Sequence, residues 1–329
     1  MADVAEVFNS IINNHSVDRA FSTAVRSGLS NSPKAISSKY LYDSRGSELF
    51  VEITRLDEYY LSRCEEEIFL EQAKDIVTAL GGNISEVVEL GCGDGFKTER
   101  LLKAICQVQD QLAFVPVDIC QDSIDIIESR MSSALPQLTL SSFTGDYNHF
   151  LRQSPEVLPG SRLVLFLGSN IGNFTALQAE HFVKQIYNFC QPGDYLLLGL
   201  DLKKDLDLLH AAYNDNQGVT SEFNFNLLDR MNRELGAEFD RNKFTHHGYY
   251  NVQIGAMQSY LVSTESQQVT IDGLDMVAQF DCLEAIHLED SHKYSLRDIH
   301  NLARNTGFQV CELFSDSRGY FVDALMRKL

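Results

Sequence analysis

The sequence is short of positive charge. Among its 329 residues, Lys and Arg number 27 against 46 Asp and Glu, a formal net charge of −19 at neutral pH. A surface with that balance repels phosphate backbones and anionic lipid heads. The densest basic runs are pairs such as Lys203-Lys204, so neither nucleic acid nor a membrane surface is an expected partner. Long apolar runs are missing too. Nowhere do about 18 apolar residues run unbroken, and the opening MADVAEVFNSIINNH has no basic region followed by an apolar stretch. The expectation is a soluble, cytoplasmic protein without a membrane span. The cysteines, Cys64, Cys92, Cys106, Cys120, Cys190, Cys282 and Cys311, form no CxxC pair. That argues against a disulfide framework or a thiolate metal site, and most of them are expected to be small buried hydrophobes. His246 and His247 are adjacent, but no HExxH occurs and no metal is expected. The glycine turn after the first strand is ELGCGDG, not GxGxxG, and the segment around Gly168–Phe174 holds no ExxxxE pair and no nucleophile elbow.

What is present is a repeated alternation of apolar runs and amphipathic helices. With 44% of residues hydrophobic, the chain can bury one large core or two packed domains. The first 30 residues show helical periodicity, and EEEIFLEQAKDIVTAL from Cys64 onward predicts a long helix stopping before Gly81-Gly82. Strands are predicted at 87–91, 114–118, 138–146, 162–169 and 194–201, with helices between them. Apolar runs that do not alternate indicate a parallel sheet covered on both faces, a doubly wound α/β domain. The alternation then lapses for about 85 residues, which include YYNVQIGAMQSYLVSTESQQVTIDG, predicted as an antiparallel ribbon turning at Thr264-Glu265-Ser266. It resumes in LRDIHNLARNTG, FQVCELF and GYFVDALMRKL. Only SDSR joins the last two strands, too few residues for a crossover helix, so they should be antiparallel. A mostly parallel sheet with its final strand reversed is characteristic of class I S-adenosylmethionine-dependent methyltransferases. The expected division is 62–202 with 287–329 as a donor-binding domain and 1–61 with 203–286 as a second, α+β substrate domain.

The turn Glu89-Leu90-Gly91-Cys92-Gly93-Asp94-Gly95 follows the first strand directly, where missing Cβ atoms let backbone approach a ligand and the next helix offers free N–H groups. Asp118, 27 residues after Gly91, ends the second strand, where a carboxylate can accept both ribose hydroxyls of an adenosine. Asp146 and Tyr147 close the third strand, placed for an adenine amine and its ring. Lys97, one turn into the helix, needs an anionic partner, which a donor carboxylate would supply. Gly168-Ser169-Asn170-Ile171-Gly172-Asn173-Phe174 stands at the end of the fourth strand, so Asn170 and Asn173 are placed to touch a ligand.

The sequence closely resembles the ergothioneine-pathway family of L-histidine Nα-methyltransferases. The likeness runs from about residue 20 to the C-terminus through KYLYDSRGSELF (39–50), ITRLDEYY (53–60), ELGCGDGFKT, LGSNIGNF, AYND (212–215), GVT (218–220), Phe223-Asn224, NREL (232–235) and EDSHKY (289–294). It implies that Asn173 and Tyr213 hold the amino-acid carboxylate. Tyr42 is placed near the substrate amine through ordered water, and Tyr59, Glu289 and Ser291 meet the imidazole. Donor contacts are implied for Tyr59, Gly91, Lys97, Asp118, Asp146 and Tyr147, with Gly168 close to the methyl-transfer region. The family's histidine enzymes carry methionine where this chain has Ser259, which leaves more room or another hydrogen-bonding group beside the aromatic ring.

These residue types make the chemistry coherent. A neutral amide and a phenol suit a carboxylate site that should not trap its product by charge. Glu289 can take the imidazole N–H, and Ser291 can serve the other nitrogen or support the first contact. The expected reaction is attack of the neutral α-amine on the sulfonium methyl of S-adenosylmethionine, three times over. It gives hercynine and S-adenosylhomocysteine, with Tyr42 and Asn173 guiding the proton to water. The partner is a small amino acid and the expected oligomeric state a monomer, with a dimer as the alternative. Alternatives in function are Nα-methylation of tryptophan, tyrosine or a modified histidine, or a non-catalytic ligand-binding relative.

Overall fold

The computed structural model describes residues 19–153 and 159–329. The helical expectation for the segment before Arg19 therefore lies outside the described residues. The chain divides into two compact units. One comprises residues up to Phe50 with Gln217–Gly248 and Gln258–Glu289, the other Val51–Asn216, Tyr249–Met257 and Asp290–Leu329.

The larger unit is built on the non-alternating runs. β2 (Ile84–Leu90), β3 (Ala113–Asp118), β6 (Ser161–Phe166) and β7 (Tyr195–Asp201) pair in parallel. Val87, Val88, Val164, Leu165, Leu197 and Leu198 have no exposed surface, as expected of central strands covered on both faces. Burial of this kind contributes about 1.5–3 kcal/mol per large side chain. The covering helices are α3 (Tyr60–Leu80), α4 (Phe96–Cys106), α5 (Gln121–Ala134), α7 (Ala176–Phe189) and α10 (Leu296–Thr306). α7 and α10 each start at a reciprocal capping box, Thr175 with Gln178 and Ser295 with Asp298. α3 begins four residues before Cys64 and ends where expected, at Gly81 in the left-handed conformation with φ 64°.

The strand predicted over 138–146 is two short pieces, β4 (Thr139–Leu140) and β5 (Phe143–Thr144), both parallel to β3. β13 (Phe308–Ser315) and β14 (Phe321–Lys328) are antiparallel to each other, and β14 is antiparallel to β7. The sheet order is β13-β14-β7-β6-β2-β3-β4, the class I methyltransferase arrangement. The reversal between the last two strands is held by Asp316, whose Oδ1 accepts the Tyr320 and Phe321 N–H groups, each at 2.7 Å.

The smaller unit has α1 (Arg19–Ser30), β1 (Lys34–Ala35), most of α2 (Ser44–Thr54), α9 (Val219–Leu235) and most of a sheet ordered β1-β12-β9-β8. Here β8 is Phe244–Asn251, β9 is Ala256–Ser263 and β12 is Ala285–His292. Asp43 ties its helices together by accepting the Gly46 N–H at 2.8 Å and Asn226 Nδ2 at 2.7 Å and by pairing with Arg233.

Three expectations need correction. Thr264-Glu265-Ser266 does not close a ribbon. β9 lies between β8 and β12, whereas β10 (Gln267–Ile271) pairs with β11 (Met276–Phe280) in a separate two-stranded sheet. Val269, Ile271, Ala278 and Phe280 bury one face of that pair. The boundaries expected at 61/62 and 202/203 also move. Residues 51–61 and 203–216 belong with the large sheet, because Tyr60 Oη donates to Asp201 Oδ2 at 2.7 Å and the Lys203 N–H donates to Tyr294 O at 2.9 Å. Finally, only Cys64, Cys92 and Cys190 are buried, while Cys282 and Cys311 are exposed. Cys311 sits where the edge strand β13 shifts register between Val310 and Glu312.

Candidate active site

The glycine turn stands at the carboxyl end of β2. Gly91 has φ 73°, a left-handed conformation, and a Cβ there would lie 3.3 Å from Asn170 Nδ2, so only glycine lets the turn come this close to the loop after β6. Gly95 caps α4 without a side-chain acceptor, and the Phe96 N–H donates to Asp94 Oδ1 at 3.1 Å. Asp118 Oδ2 accepts the Gly93 N–H at 3.2 Å and Oδ1 accepts the Cys120 N–H at 2.9 Å. Oδ2 also accepts from the Cys92 thiol at 4.0 Å. Burial raises this carboxyl above its ordinary range. Asp146 caps α6 (Tyr147–Phe150) and uses Oδ1 for both the N–H and the Nδ2 of Asn148, each at 2.8 Å. Tyr147 packs its ring on Phe166 and Phe182, at centroid distances of 5.8 and 5.1 Å, and burial pushes its phenol up to about 12. These residues fit an adenosine.

Lys97 already has an anion. Its ammonium pairs with Glu65 of α3, a carboxylate with no exposed surface, whose Oε1 accepts the Gly168 N–H at 2.7 Å. The electrostatic need noted for Lys97 is thus met within the fold, and the pair fixes Gly168 at the end of β6.

The second group of residues in this unit surrounds the end of β7. Ser169 takes a left-handed φ of 57°, unusual for a residue with a Cβ, and its Oγ accepts the Asp201 N–H at 3.0 Å. That contact anchors the single turn Asn170–Asn173. A Cβ on Gly172 would meet His292 O at 3.0 Å and Ser291 Oγ at 3.4 Å, so this turn lies against the strand that carries Ser291. Tyr213, ending α8 (Leu206–Tyr213), donates to Ser291 Oγ at 2.7 Å. Its ring is edge-on to Tyr59, with centroids 6.5 Å apart. The structure therefore brings Tyr59, Tyr213, Ser291 and the Asn173 turn together.

Tyr42, Ser259 and Glu289 belong to the smaller unit. The Tyr42 ring stands edge-on to Phe50 and Phe223, at 5.4 and 5.3 Å. Ser259 is buried in β9 and Glu289 half-buried in the neighbouring β12. Glu289 and Ser291 are two positions apart on β12 and share one face of it.

Sequence reasoning missed a buried polar cluster under Tyr213. Asp201 holds Lys204 and Lys293, the latter at 2.8 Å, and accepts the Tyr60 hydroxyl. Burial, with Asp201 beside it, pushes the Tyr60 phenol far above its ordinary value. Burial also holds the Lys204 ammonium below its usual range. Tyr60 and Lys293 lie inside motifs already noted, DEYY and EDSHKY. The available signal was a lysine two residues past Ser291, just beyond the end of β12. Glu65 and Glu89 were equally hidden. Glu89 Oε1 accepts the Thr98 hydroxyl at 2.5 Å, and burial raises its carboxyl to about 8. Among the described residues no group of three or more His, Cys, Asp or Glu could hold a metal ion, and no helix is long and apolar enough to cross a membrane.

Known proteins share this pattern. The family model described as histidine-specific, SAM-dependent methyltransferase matches residues 21–328. A histidine N-alpha-methyltransferase of Mycolicibacterium smegmatis is 35% identical over 297 residues, covering 90% of this chain and 91% of that protein. One from Mycobacterium tuberculosis is 34% identical over 304 residues, 92% of this chain and 94% of that protein. Ergothioneine biosynthesis protein 1 of Schizosaccharomyces pombe is 28% identical over 288 residues, 85% of this chain but 37% of that longer protein. With nearly its whole length matched by the family model, the chain belongs to the histidine-specific, S-adenosylmethionine-dependent methyltransferases.

Proposed function

We propose that the protein trimethylates the α-amino nitrogen of L-histidine to give hercynine, releasing one S-adenosylhomocysteine per methyl group. One observation carries the reading. Tyr59, Tyr213, Ser291 and the Asn173 turn, the residues through which the family meets its acceptor, are gathered in the unit that bears the glycine turn.

S-adenosylmethionine supplies an electrophilic methyl group. Asp118 is proposed to hold its ribose, Asp146 and Tyr147 its adenine, and the Gly91 and Gly168 backbones its reacting end. Asn173 and Tyr213 then take the acceptor's carboxylate. Glu289 accepts the imidazole N–H and Ser291 donates to the other ring nitrogen, so the neutral ring is the form read best. The attacking amine must be uncharged, since an ammonium has no lone pair, and Tyr42 orders the water that removes its proton. No residue needs to bond covalently to the methyl group; rate comes from alignment of amine and sulfonium. After the third transfer the nitrogen is quaternary and the sequence stops. The larger unit is proposed as the donor domain, and the smaller one, with Tyr42, Ser259 and Glu289, as the acceptor domain.

The test is to incubate the protein with donor and each of the twenty amino acids and resolve the products by mass. Mono-, di- and trimethylhistidine appearing in succession support the reading, and preference for tryptophan or tyrosine overturns it. The second reading, another aromatic or a modified-histidine acceptor, is favoured by Ser259, buried where the family's histidine enzymes carry methionine.

A further inference from the structure

Asp323 stands in the middle of β14 without exposed surface, and neither of its carboxylate oxygens meets an N–H or hydroxyl donor among the described residues. A charge left there unpaired is strongly unfavourable. Its neighbour is a second carboxyl. In the antiparallel pairing of β14 with β7, Asp323 lies opposite Gly199. A Cβ on Gly199 would collide with Glu65 Oε1 and lie 3.2 Å from Asp323 Oδ1. The space left by glycine is therefore shared by two carboxyl groups, one from α3 and one from β14. They are hydrogen-bonded to each other, which requires a proton on one of them.

Glu65 is the one that stays charged. Its Oε1 accepts the Gly168 N–H at 2.7 Å and its Oε2 pairs with the Lys97 ammonium, and both donors favour the ionised form. The proton therefore sits on Asp323. Burial, followed by the Glu65 charge, holds this carboxyl well above the ordinary carboxylate range against the pull of Lys97. Glu89 on β2 is a third carboxyl acting on Lys97, and burial raises it to about 8. One ammonium neutralises one carboxylate, so at neutral pH Asp323 and Glu89 are both uncharged acids. Lys97 uses one N–H bond on Glu65, and its side chain is 26% exposed. Two of its three N–H bonds remain for a ligand.

We propose that Asp323 is a positioning residue for the methyl donor, acting as a neutral acid that donates to Glu65 and so holds it between the Gly168 N–H and Lys97. This deepens the function proposed above and rests on it, because Gly168 and Lys97 are taken to meet the amino-acid end of S-adenosylmethionine. With Asp323 uncharged, Lys97 answers one carboxylate within the fold and keeps attraction for a second, the donor's own. An ionised Asp323 would supply that second charge from inside and would repel Glu65 from the place where it fixes Gly168.

The experiment titrates the wild type, Asp323→Asn and Asp323→Leu with S-adenosylhomocysteine and with 5′-methylthioadenosine, which keeps the adenosine but lacks the amino-acid end. Asp323→Leu removes the donor to Glu65 and should weaken S-adenosylhomocysteine by about 10-fold, with 5′-methylthioadenosine changed by less than about threefold. Asp323→Asn keeps an N–H donor that has no proton to lose, and it should hold S-adenosylhomocysteine within about threefold of wild type. Infrared difference spectra read the proton itself. In a Glu89→Gln background, so that the other raised carboxyl is silent, the C=O stretch of a buried neutral acid should be present at neutral pH and vanish with Asp323→Asn. The band and the Asp323→Asn affinity decide the question if Asp323→Leu does not fold. Equal losses for the two ligands, an unchanged affinity in Asp323→Leu, a loss in Asp323→Asn as large as in Asp323→Leu, or no band to lose would overturn the role of Asp323. A wild type that binds the two ligands equally well overturns the placement of the donor's amino-acid end at Gly168 and Lys97. One that binds neither overturns the donor site itself.

Discussion

Glu65 and Gly168 are joined by a 2.7 Å hydrogen bond from the glycine's N–H to a carboxylate that also neutralises Lys97. A residue of the long helix thereby sets the backbone at the end of β6. Glu65→Gln keeps an acceptor for Gly168 but removes the charge opposite Lys97. Lys97 is partly exposed, so the loss falls below that of a fully buried pair, at about 2 kcal/mol of stability. Urea unfolding should show it as a lower midpoint with an unchanged slope. Calorimetry should show weaker S-adenosylhomocysteine binding, since the Gly168 segment loses part of its anchor.

Asp118 offers a more direct test of the donor site. Asp118→Ala removes the acceptor for the Gly93 and Cys120 N–H groups and, in the proposed site, for the ribose. Donor affinity should fall by about 2–3 kcal/mol. Titration with S-adenosylhomocysteine reads this directly, and an unaltered dissociation constant would remove Asp118 from the site.

The strand ends that carry the proposed donor residues were largely legible in the sequence because the parts are local. ELGCGDG is contiguous, and Asp118 and Gly168 each end an apolar run whose pattern marks it as a parallel strand, whereas Asp146 follows a more polar segment that folds as two short pieces. The cluster under Tyr213 was not legible, because Tyr213 and Ser291 meet across 78 positions of chain and no local periodicity links them. Lys204 illustrates the difficulty: in sequence it belongs to a basic pair that reads as exposed, and in the fold it is buried on Asp201 while Lys203 pairs with Asp298. The β9 and β10 segments failed for a related reason. Alternation tells which face of a strand is buried, not which sheet the strand joins.

Glu89 makes stability depend on pH in a defined direction. Its carboxyl ionises near 8 in the folded chain against an ordinary 4.5, because burial disfavours the charged form. The folded state therefore binds this proton more tightly than the unfolded state. The resulting stability is complete below pH 4.5 and is lost as pH rises toward 8. The full span corresponds to roughly 3–5 kcal/mol. Glu89→Gln should flatten that decline in the donor-free protein, and urea midpoints at pH 5 and pH 8 would then lie closer together than in wild type. Parallel pH dependence in the two proteins would show that Glu89 ionises normally.

In the proposed site, acceptor selectivity turns on Glu289. On β12 it shares a face with Ser291, and the pair offers an acceptor and a donor two residues apart, the complement of a neutral imidazole. An indole has one N–H and no ring acceptor, so it can satisfy one of the two. Glu289→Ala should lower kcat/KM for histidine by about 1–3 kcal/mol and harm tryptophan less, since a carboxylate placed for imidazole must be desolvated without full return when indole binds. The ring's own protonation gives a second handle. Below the free imidazole's titration near 6.5 the ring carries two N–H groups. Ser291 Oγ already accepts from Tyr213 and Lys293, so it can offer little to the second. Wild-type KM for histidine should therefore climb as pH falls through that range, while tryptophan, which has no such titration, shows no matching rise. Equal losses for histidine, tryptophan and tyrosine in Glu289→Ala would mean that this carboxylate does not read the ring. Ser259 would then be the next position to exchange, by Ser259→Met, with recovery of histidine preference as the readout.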